Sequence, residues 1–523
     1  MLVPLTAIDT TCEFTQLCMC YVFSLPPSFT QTQTAEAIDR LKEATQRVVA
    51  KWPLLQGLPK KQKDKTWVID VPDESAARPT LFGWTTKTVS VPYHQAAGLS
   101  SPAPAFNARA SGALPRPKRS LFRPSGVANS FAEHEKKRLP LLHVHVTTCT
   151  DALVVGLSMP HGAMDGTGFG LVMRAITAEL HQKDWIAPPL FEGANPWQQT
   201  LDALVDDDSV SAASDEKGLS GRSSGEGEMP PAVGIWRKFT LWPSARLLSS
   251  MCVERFVFKN ERGWISLKQA TVDALVKRVK AQVKEETAGT EFVSTGDIIF
   301  AFVFKAIHSR EAASTAGLAV GAVYRTVPLL ATQVRSDGSK PRELPLYPHN
   351  AIAPYLLIAP LSLSEVAQLP LSTLALHMRR NLLGTKTLPQ LRTCWPEIRN
   401  GGSLPHRDWP SLFGTNVVRK LCSDGPGTTR ASKTRGKFVN YWGASNQMGL
   451  GMAGLAIPTT EGGAEDLPLL SFNLDWIEPI EVDRLLMLTD TAIGVTVGGS
   501  MRRSRWKALR AKVDELEREL ATV

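Results

Sequence analysis

The spacing of apolar and polar residues predicts a strand, a tight turn and a helix in the middle of the first half of the chain. An apolar run of strand character extends from Ala152 to Ser158, and Pro160 ends it. From position 169 the apolar residues recur at helical spacing and would share one helix face: Phe169, Val172, Met173, Ile176 and Leu180. His161 and Asp165 fall in the predicted turn, where side chains can project into a cleft.

The chain before this strand, turn and helix also contains predicted helices and strands. Thr34 is a candidate cap for a helix that ends at Pro53 and carries one apolar face, formed by Ile38, Leu41, Val48 and Trp52. Residues 66–70 read as a strand, and the alternation over residues 141–147 predicts another. A segment rich in Ser, Pro, Ala and Gly from about residue 97 to 118 has the composition of a surface insertion.

The second half of the chain also contains predicted strands and helices. Ser266 is a candidate cap for a helix, and Ser294-x-x-Asp297 resembles a capping box ahead of another. Residues 492–497 alternate as a strand does. The chain closes with an amphipathic helix whose inward residues would be Trp506, Leu509, Val513, Leu516 and Leu520.

Length and composition predict two globular domains. A chain of 523 residues exceeds one ordinary core. Residues 206–232 are acidic and rich in Ser and Gly, and such a segment buries too little apolar surface to order itself. We therefore expect an N-terminal half (1–205), a linker (206–232) and a C-terminal half (233–523). Each half mixes strands and helices, which favours two α/β domains that face each other across a cleft.

The charge, the apolar runs and the cysteines indicate the cellular location and the kinds of partner. The net charge of +9 is spread over short clusters without a nucleic-acid-binding module, so no nucleic acid is expected as a partner. No apolar run reaches the length that crosses a bilayer, and the N-terminus lacks the positively charged start of a secretory signal. Seven cysteines in so long a chain do not make a disulfide framework, and Cys18 and Cys20 fit an alternating buried strand better than a zinc site. We expect a cytoplasmic protein that works as a monomer.

The predicted turn can supply a general base. A neutral imidazole accepts a proton from a hydroxyl, an amine or a thiol near neutral pH, and a nearby carboxylate can hold its orientation. His161 and Asp165 have these properties, and Gly162 and Gly166 allow sharp backbone angles beside them. The same pattern also fits a histidine that is only a hydrogen-bonded structural residue, and this alternative stays open.

Other chemistries fit the residues less well. The glycines at 166, 168 and 170 lack the G-x-G-x-x-G spacing of a dinucleotide site. His143, His145 and His161 could chelate a metal, but no carboxylate or cysteine pattern completes the set, so no metal is expected. No G-x-S-x-G elbow supports a serine hydrolase.

Several motifs in the chain resemble those of one enzyme family. His161-x-x-x-Asp165-Gly166 resembles the H-x-x-x-D-G motif of the BAHD-type acyl-CoA-dependent acyltransferases, in a form similar to the fungal branch. Four further stretches resemble the family's motifs in the same order: Leu5-Thr-Ala-Ile-Asp9, Trp52-Pro-Leu-Leu-Gln-Gly57, Val293-Ser-Thr-Gly-Asp297 and the pairing of Arg335 with His349-Asn350 fourteen residues later. Gly494 to Gly498 and the closing helix are similar to the family's last strand and helix.

The resemblance implies a fold and a reaction. The fold would be α/β (α+β), with two chloramphenicol-acetyltransferase-like domains, each a mixed sheet with flanking helices, around a central channel. Acyl-CoA would be a co-substrate, with no permanently bound cofactor, and the acceptor would be a small-molecule alcohol, or less readily an amine. His161 would be the general base that lets the acceptor attack the thioester directly.

The resemblance also assigns supporting residues. Asp165 and Gly166 would shape the turn, with Asp165 salt-bridged to Arg335. Asn440 and Trp442 lie where the family has a T-S-W stretch, and they would contact the acceptor or stabilise the oxyanion.

Two departures from the family pattern keep alternatives open. The D-F-G-W-G box is absent, since residues 451–455 contain neither aspartate nor tryptophan, and His349 stands where the family usually has glycine. Pro160 occupies the position of the second histidine of peptide-synthetase condensation domains, which share the fold. A carrier-protein-dependent condensation activity is therefore disfavoured but open, as is a non-catalytic binding role on the same fold.

Overall fold

The structure is a computed structural model, and it describes most of the chain with several gaps. The described residues are 1–72, 82–99, 111–114, 117–206, 260–313, 317–330, 346–399, 437–438, 455–463, 465–477, 484–490 and 494–521. Residues 207–232 of the predicted linker and the site candidates Arg335, Asn440 and Trp442 lie outside these ranges.

Strands and helices alternate along the described chain. The strands are β1 (Leu2–Pro4), β2 (Gln16–Ser24), β3 (Leu58–Lys61), β4 (Trp67–Asp70), β5 (Gly83–Thr88), β6 (Gly112–Ala113), β7 (His143–Thr148), β8 (Ala152–Pro160), β9 (Asn260–Leu267), β10 (Gly317–Arg325), β11 (Ile352–Ser362), β12 (Lys437–Phe438), β13 (Leu469–Ile477), β14 (Arg484–Asp490) and β15 (Gly494–Arg502). The helices are α1 (Ala7–Thr11), α2 (Gln31–Lys51), α3 (Tyr93–Ala97), α4 (Phe131–Lys137), α5 (Gly166–Leu180), α6 (Pro196–Asp206), α7 (Gln269–Glu286), α8 (Thr295–His308), α9 (Val327–Leu330), α10 (Leu363–Gln368), α11 (Leu371–Thr385), α12 (Leu388–Arg399) and α13 (Arg503–Ala521).

A five-stranded sheet with the order β13-β2-β8-β7-β5 forms the centre of the N-terminal half. Its central strands β2 and β8 pair antiparallel, with Gln16 opposite Pro160. Both faces of β2 are buried, because Leu17, Met19 and Tyr21 join the core that α2 and α5 cover, while Cys18 and Cys20 point to a smaller apolar cluster. The prediction that the two cysteines alternate in a buried strand is confirmed.

The C-terminal half has its own core. The four-stranded sheet β14-β15-β9-β6 and the sheet β11-β10-β12 pack with α7, α8, α11 and α13. Trp506, Leu509, Val513 and Leu516 of α13 are buried there, and Leu520 is partly buried, so the predicted inward face of the last helix is confirmed.

Strand pairing crosses the predicted division of the chain. β13, from the second half, pairs along its length with β2, and β6, from the first half, pairs with β9. Asp475 of β13 also accepts hydrogen bonds from Arg119 and from Arg262 of β9. Because each half contributes a strand to the other's sheet, a cut at 206–232 does not separate two self-contained sets of strands, and the linker itself stays a prediction.

Helix capping corrects two sequence assignments and confirms a third. α2 begins four residues earlier than expected, because Thr30 and Gln33 form a capping box and Thr34 lies inside the helix. Ser266 belongs to β9, and the residue before α7 is Lys268. The capping box of Ser294 and Asp297 at the start of α8 is present, with both reciprocal hydrogen bonds.

None of the helices in the described ranges is long and apolar enough to span a bilayer.

Candidate active site

The turn that carries His161 is fixed to the neighbouring strand. β8 ends at Pro160, and the backbone N–H of His161 donates to the carbonyl oxygen of Thr15 at 2.8 Å. Gly162 follows, and a Cβ at this position would lie 2.6 Å from the ring of Phe131. His161 is a partly exposed residue, although its Nδ1 atom is buried. The backbone of the turn is therefore held in place at a residue that solvent can reach.

Asp165 links this turn to the helix that follows. It is the N-cap of α5, and its Oδ1 accepts hydrogen bonds from the backbone N–H groups of Thr167 and Gly168 at 2.9 and 3.0 Å. A carboxylate is well suited to this position because it satisfies free N–H groups and lies at the positive end of the helix dipole. The capping bonds fix the carboxylate relative to the turn four residues after His161.

The cation that pairs with Asp165 comes from the second half of the chain. Arg325, the last residue of β10, donates from Nη1 to Oδ2 of Asp165 and from Nη2 to the carbonyl oxygen of Tyr347. Only 4% of Asp165 and 7% of Arg325 are exposed. The motif resemblance predicted Arg335 for this role, and that residue lies outside the described ranges. The guanidinium found against Asp165 is that of Arg325.

Asn350 connects the turn to the N-terminal motif. Its Nδ2 donates to the backbone carbonyl of His161 and to Oδ1 of Asp9, both at 2.8 Å, and its backbone N–H donates to the same Oδ1 at 2.9 Å. Both partners of Nδ2 accept only, so the orientation of the amide is determined. The other carboxylate oxygen of Asp9 accepts from the backbone and hydroxyl of Thr6. Asp9 therefore uses one oxygen to cap α1 and the other to hold Asn350.

His349 makes a third connection. Its Nδ1 lies 2.6 Å from the carbonyl oxygen of Ala163, and because a carbonyl only accepts, Nδ1 is the protonated nitrogen. The ring is fully buried and meets the ring of Tyr347 edge to face, with 5.3 Å between centroids. The hydrogen bond is thus made by a side chain that its neighbours hold in position.

Burial changes the titration of two groups behind the turn. Burial raises the pKa of the Asp9 carboxyl, although the nearby His349 imidazole and the hydrogen bonds from Thr6 and Asn350 oppose this effect. Burial also lowers the pKa of His349, against the attraction of Asp9. A lowered pKa agrees with a neutral His349 that donates through Nδ1.

Gly168 lets the two halves approach closely. A Cβ at this position would lie 2.0 Å from the carbonyl oxygen of Pro348 and 2.8 Å from the Cβ of Met164. No residue with a side chain fits without a shift of the backbone. Residues 347–350 therefore pack directly on the turn and on the first turn of α5.

Of the residues predicted for the site, the structure brings His161, Asp165 and Gly166 together, and Gly166 is the first residue of α5. Arg325 was not among the predicted site residues, and no site role was predicted for Asp9, His349 or Asn350. A signal for Arg325 was available, since it is the one charged residue at the end of the otherwise uncharged segment 317–325. A charge that ends a buried strand needs a partner, although the pattern does not say which one.

The structure also bears on the rival chemistries. In the described ranges no group of three or more His, Cys, Asp or Glu residues could hold a metal ion. His143 and His145 instead share the hydroxyl of Thr85, at 3.1 and 2.7 Å. At the start of α5, the Asp165 carboxylate already takes the N–H groups that a dinucleotide site would offer to phosphate.

The chain is similar to known proteins in sequence over part of its length and in fold over nearly all of it. No family model matches the chain. The O-acyltransferase pboC of Aspergillus ustus is 27% identical over 298 residues, which are 56% of this chain and 54% of that protein, so the match spans about half of each.

Solved structures resemble the chain over nearly its whole length. TRI101 of F. sporotrichioides in complex with coenzyme A and T-2 has a TM-score of 0.56 at 13% identity and covers 97% of both chains. TRI101 of F. graminearum with ethyl coenzyme A gives 0.56 at 14% identity, covering 98% of this chain and 97% of that one. Vinorine synthase gives 0.51 at 11% identity, covering 98% and 93%. The α/β fold that the motif resemblance implies is confirmed.

Proposed function

We propose that this chain is an acyl-CoA-dependent O-acyltransferase of the BAHD type, with acyl-CoA as co-substrate and a hydroxyl of a specialised metabolite as acceptor. The observation that carries the proposal is a partly exposed histidine on a turn that both halves of the chain hold in place. The fold and the partial similarity to an O-acyltransferase support it. So do the solved complexes of TRI101, which contain coenzyme A together with a small-molecule mycotoxin.

In the proposed reaction, His161 acts as the general base. Because Nδ1 is buried, we assign the role to Nε2. Nε2 takes the proton of the acceptor hydroxyl while the acceptor oxygen attacks the thioester carbon and forms a tetrahedral intermediate. The intermediate collapses, the carbon–sulfur bond breaks, and the CoA thiolate takes the proton from the imidazolium. No acyl-enzyme is formed, and the products are an ester and free CoA.

Asp165 acts on this reaction through position. Its carboxylate is occupied by the N–H groups of α5 and by Arg325, so it is not free to relay a proton. It fixes the end of the turn, and this fixes the direction of the imidazole. Positioned general bases contribute roughly 10²–10⁴-fold to rates, and the benefit depends on hydrogen-bond geometry.

The tetrahedral intermediate needs a partner for its oxyanion. We propose Asn440 and Trp442 for contact with the acceptor or with this oxyanion, on the basis of the motif resemblance alone. Loss of one oxyanion donor lowers kcat by about 10²–10³ in other enzymes. Asn440→Ala should lower kcat by a comparable factor, and an unchanged kcat would remove the residue from this role.

We propose further that the chain works as a monomer in the cytoplasm, without a nucleic-acid partner. A mass measurement by light scattering at several concentrations tests the monomer, and a stable dimer would contradict it.

The central test is His161→Ala. We expect a fall in transfer of at least about 100-fold, measured as acceptor-dependent release of free CoA thiol, with an unchanged unfolding temperature. His181→Ala is the matched control, since His181 is a partly buried histidine at the opposite end of α5, and its loss should leave transfer intact. Normal turnover by His161→Ala would refute the proposed mechanism.

One alternative uses a carrier protein instead of CoA. The condensation domain of the Monacolin K polyketide synthase MokA has a TM-score of 0.51 at 10% identity, so the fold also occurs in proteins of that class. A thermal-shift panel with CoA, acetyl-CoA, a longer acyl-CoA and NADPH separates the possibilities. A ligand at one hundred times its dissociation constant adds about 2.7 kcal/mol of stability. Stabilisation by CoA species supports the proposal, and no response favours a carrier-protein donor or a non-catalytic role.

A further inference from the structure

The segment Tyr347 to Asn350 contacts the turn that carries His161 at several points. The carbonyl of Tyr347 accepts from the arginine that pairs with Asp165, and the carbonyl of Pro348 abuts Gly168. The next two residues donate to carbonyls of the turn itself, His349 to Ala163 and Asn350 to His161. The turn is therefore held along its length by one four-residue segment of the other half.

The two donations act on the backbone that sets the direction of the His161 side chain. The carbonyls that accept belong to residues 161 and 163, so the peptide units 161–162 and 163–164 are held, one just before Gly162 and one just after Ala163. Glycine has the widest choice of backbone angles, and a turn centred on it would otherwise be free to rotate. The hydrogen bonds remove this freedom at the residue next to the base.

We propose that His349 is a positioning residue for His161, through the hydrogen bond from its Nδ1 to the carbonyl of Ala163. The side chain suits this role because Tyr347 and Phe191 border its ring, with centroids at 5.3 and 6.5 Å, so the direction of the N–H is fixed. The 2.6 Å distance indicates a close donor–acceptor contact. That His349 supports a general base rests on the proposed function, whereas its hydrogen bond to Ala163 is present whatever the function.

Three substitutions separate the hydrogen bond from the volume of the ring. His349→Asn places an amide N–H where Nδ1 is, His349→Gln carries its N–H one methylene farther out, and His349→Phe fills the space without a donor. We expect His349→Asn to keep kcat within about threefold of the unmodified chain. The Gln and Phe variants should lose about tenfold in kcat, equivalent to about 1.4 kcal/mol, with an unchanged KM for acyl-CoA.

A second readout needs no turnover. Diethyl pyrocarbonate modifies neutral histidine, and the rate at His161 follows from mass spectrometry of its peptide. The partly exposed His161 should react, and its rate should change at least about threefold in the Gln and Phe variants but not in the Asn variant. If the chain shows no transfer with any acceptor, this measurement still tests the positioning, so failure of the proposed function is distinguishable from failure of this inference.

The matched control is His134 of α4, which is also buried and donates from Nδ1 to a backbone carbonyl, that of Leu139 at 3.2 Å. His134→Gln should leave kcat and the reactivity of His161 unchanged. Equal kcat and equal His161 reactivity in all three His349 variants would overturn the inference. Equal impairment of the Asn, Gln and Phe variants would also overturn it, because ring shape and not the hydrogen bond would then be the cause.

Discussion

Asp165→Asn provides the sharpest test of how the two halves hold the turn. Asparagine is as good an N-cap as aspartate, so the bonds to the first turn of α5 can persist, with a small loss from the helix dipole. The main loss is the negative charge that Arg325 faces. Only 4% of Asp165 and 7% of Arg325 are exposed, so the two form a buried ion pair. Removing one partner of a buried ion pair costs about 3–5 kcal/mol, because the other charge stays buried without compensation.

The two members of the pair should not be equivalent. In Asp165→Asn, an amide can turn a donor toward Arg325, whose guanidinium still donates to the carbonyl of Tyr347 but no longer faces a negative charge. In Arg325→Met, the carboxylate keeps two backbone donors. We therefore expect Asp165→Asn to be the more destabilising, and the double variant to be no less stable than Asp165→Asn alone.

Thermal unfolding followed by near-UV circular dichroism, beside the CoA-release assay, measures these effects. At about 2 °C per kcal/mol, a loss of 3–5 kcal/mol lowers the unfolding temperature by about 6–10 °C. Arg335→Met is the control, since the motif resemblance predicted that Arg335 pairs with Asp165. Unchanged unfolding of Asp165→Asn and Arg325→Met would refute the bracing role, and an effect of Arg335→Met alone would restore the original pairing.

Three further changes test other parts of the structure. Gly168→Ala should cost about 1–3 kcal/mol and lower transfer, because its Cβ would lie 2.0 Å from the carbonyl of Pro348; a stability equal to that of the unmodified chain would contradict the close packing. Burial lowers the pKa of His134 from 6.5 to about 4, so the folded protein holds this imidazole in its neutral form. The resulting stability is complete above pH 6.5 and is lost as the pH falls toward 4, by about 3 kcal/mol in total. The urea midpoint should therefore fall less steeply between pH 7 and 4.5 in His134→Gln than in the unmodified chain. Asp475→Asn removes the carboxylate that two arginines share and should lower the unfolding temperature by several degrees, whereas a change below 1 °C would show that β13 is held by its strand pairing alone.

Local signals in the sequence predicted much of the fold. The strand before His161 and the helix after it follow from apolar periodicity, as does the buried face of α13, and the capping box of α8 follows from two residues three positions apart. Errors arose at element ends. Thr34 and Ser266 are both plausible caps, but Thr30 has a glutamine at the required spacing, and β9 continues through Ser266 because β15 pairs with it.

The sequence predicts the turn, its candidate base and the acid four residues later, because these depend on residues within a few positions of one another. The groups that hold this turn follow only from long-range packing. Arg325 lies 160 positions from Asp165, and Asn350 lies 341 positions from Asp9. Periodicity shows which face of a strand or helix is buried, but which buried polar groups meet depends on how sheets from the two halves pack. Burial then makes that pairing costly to break, since an unpaired polar group there has no water to replace its partner.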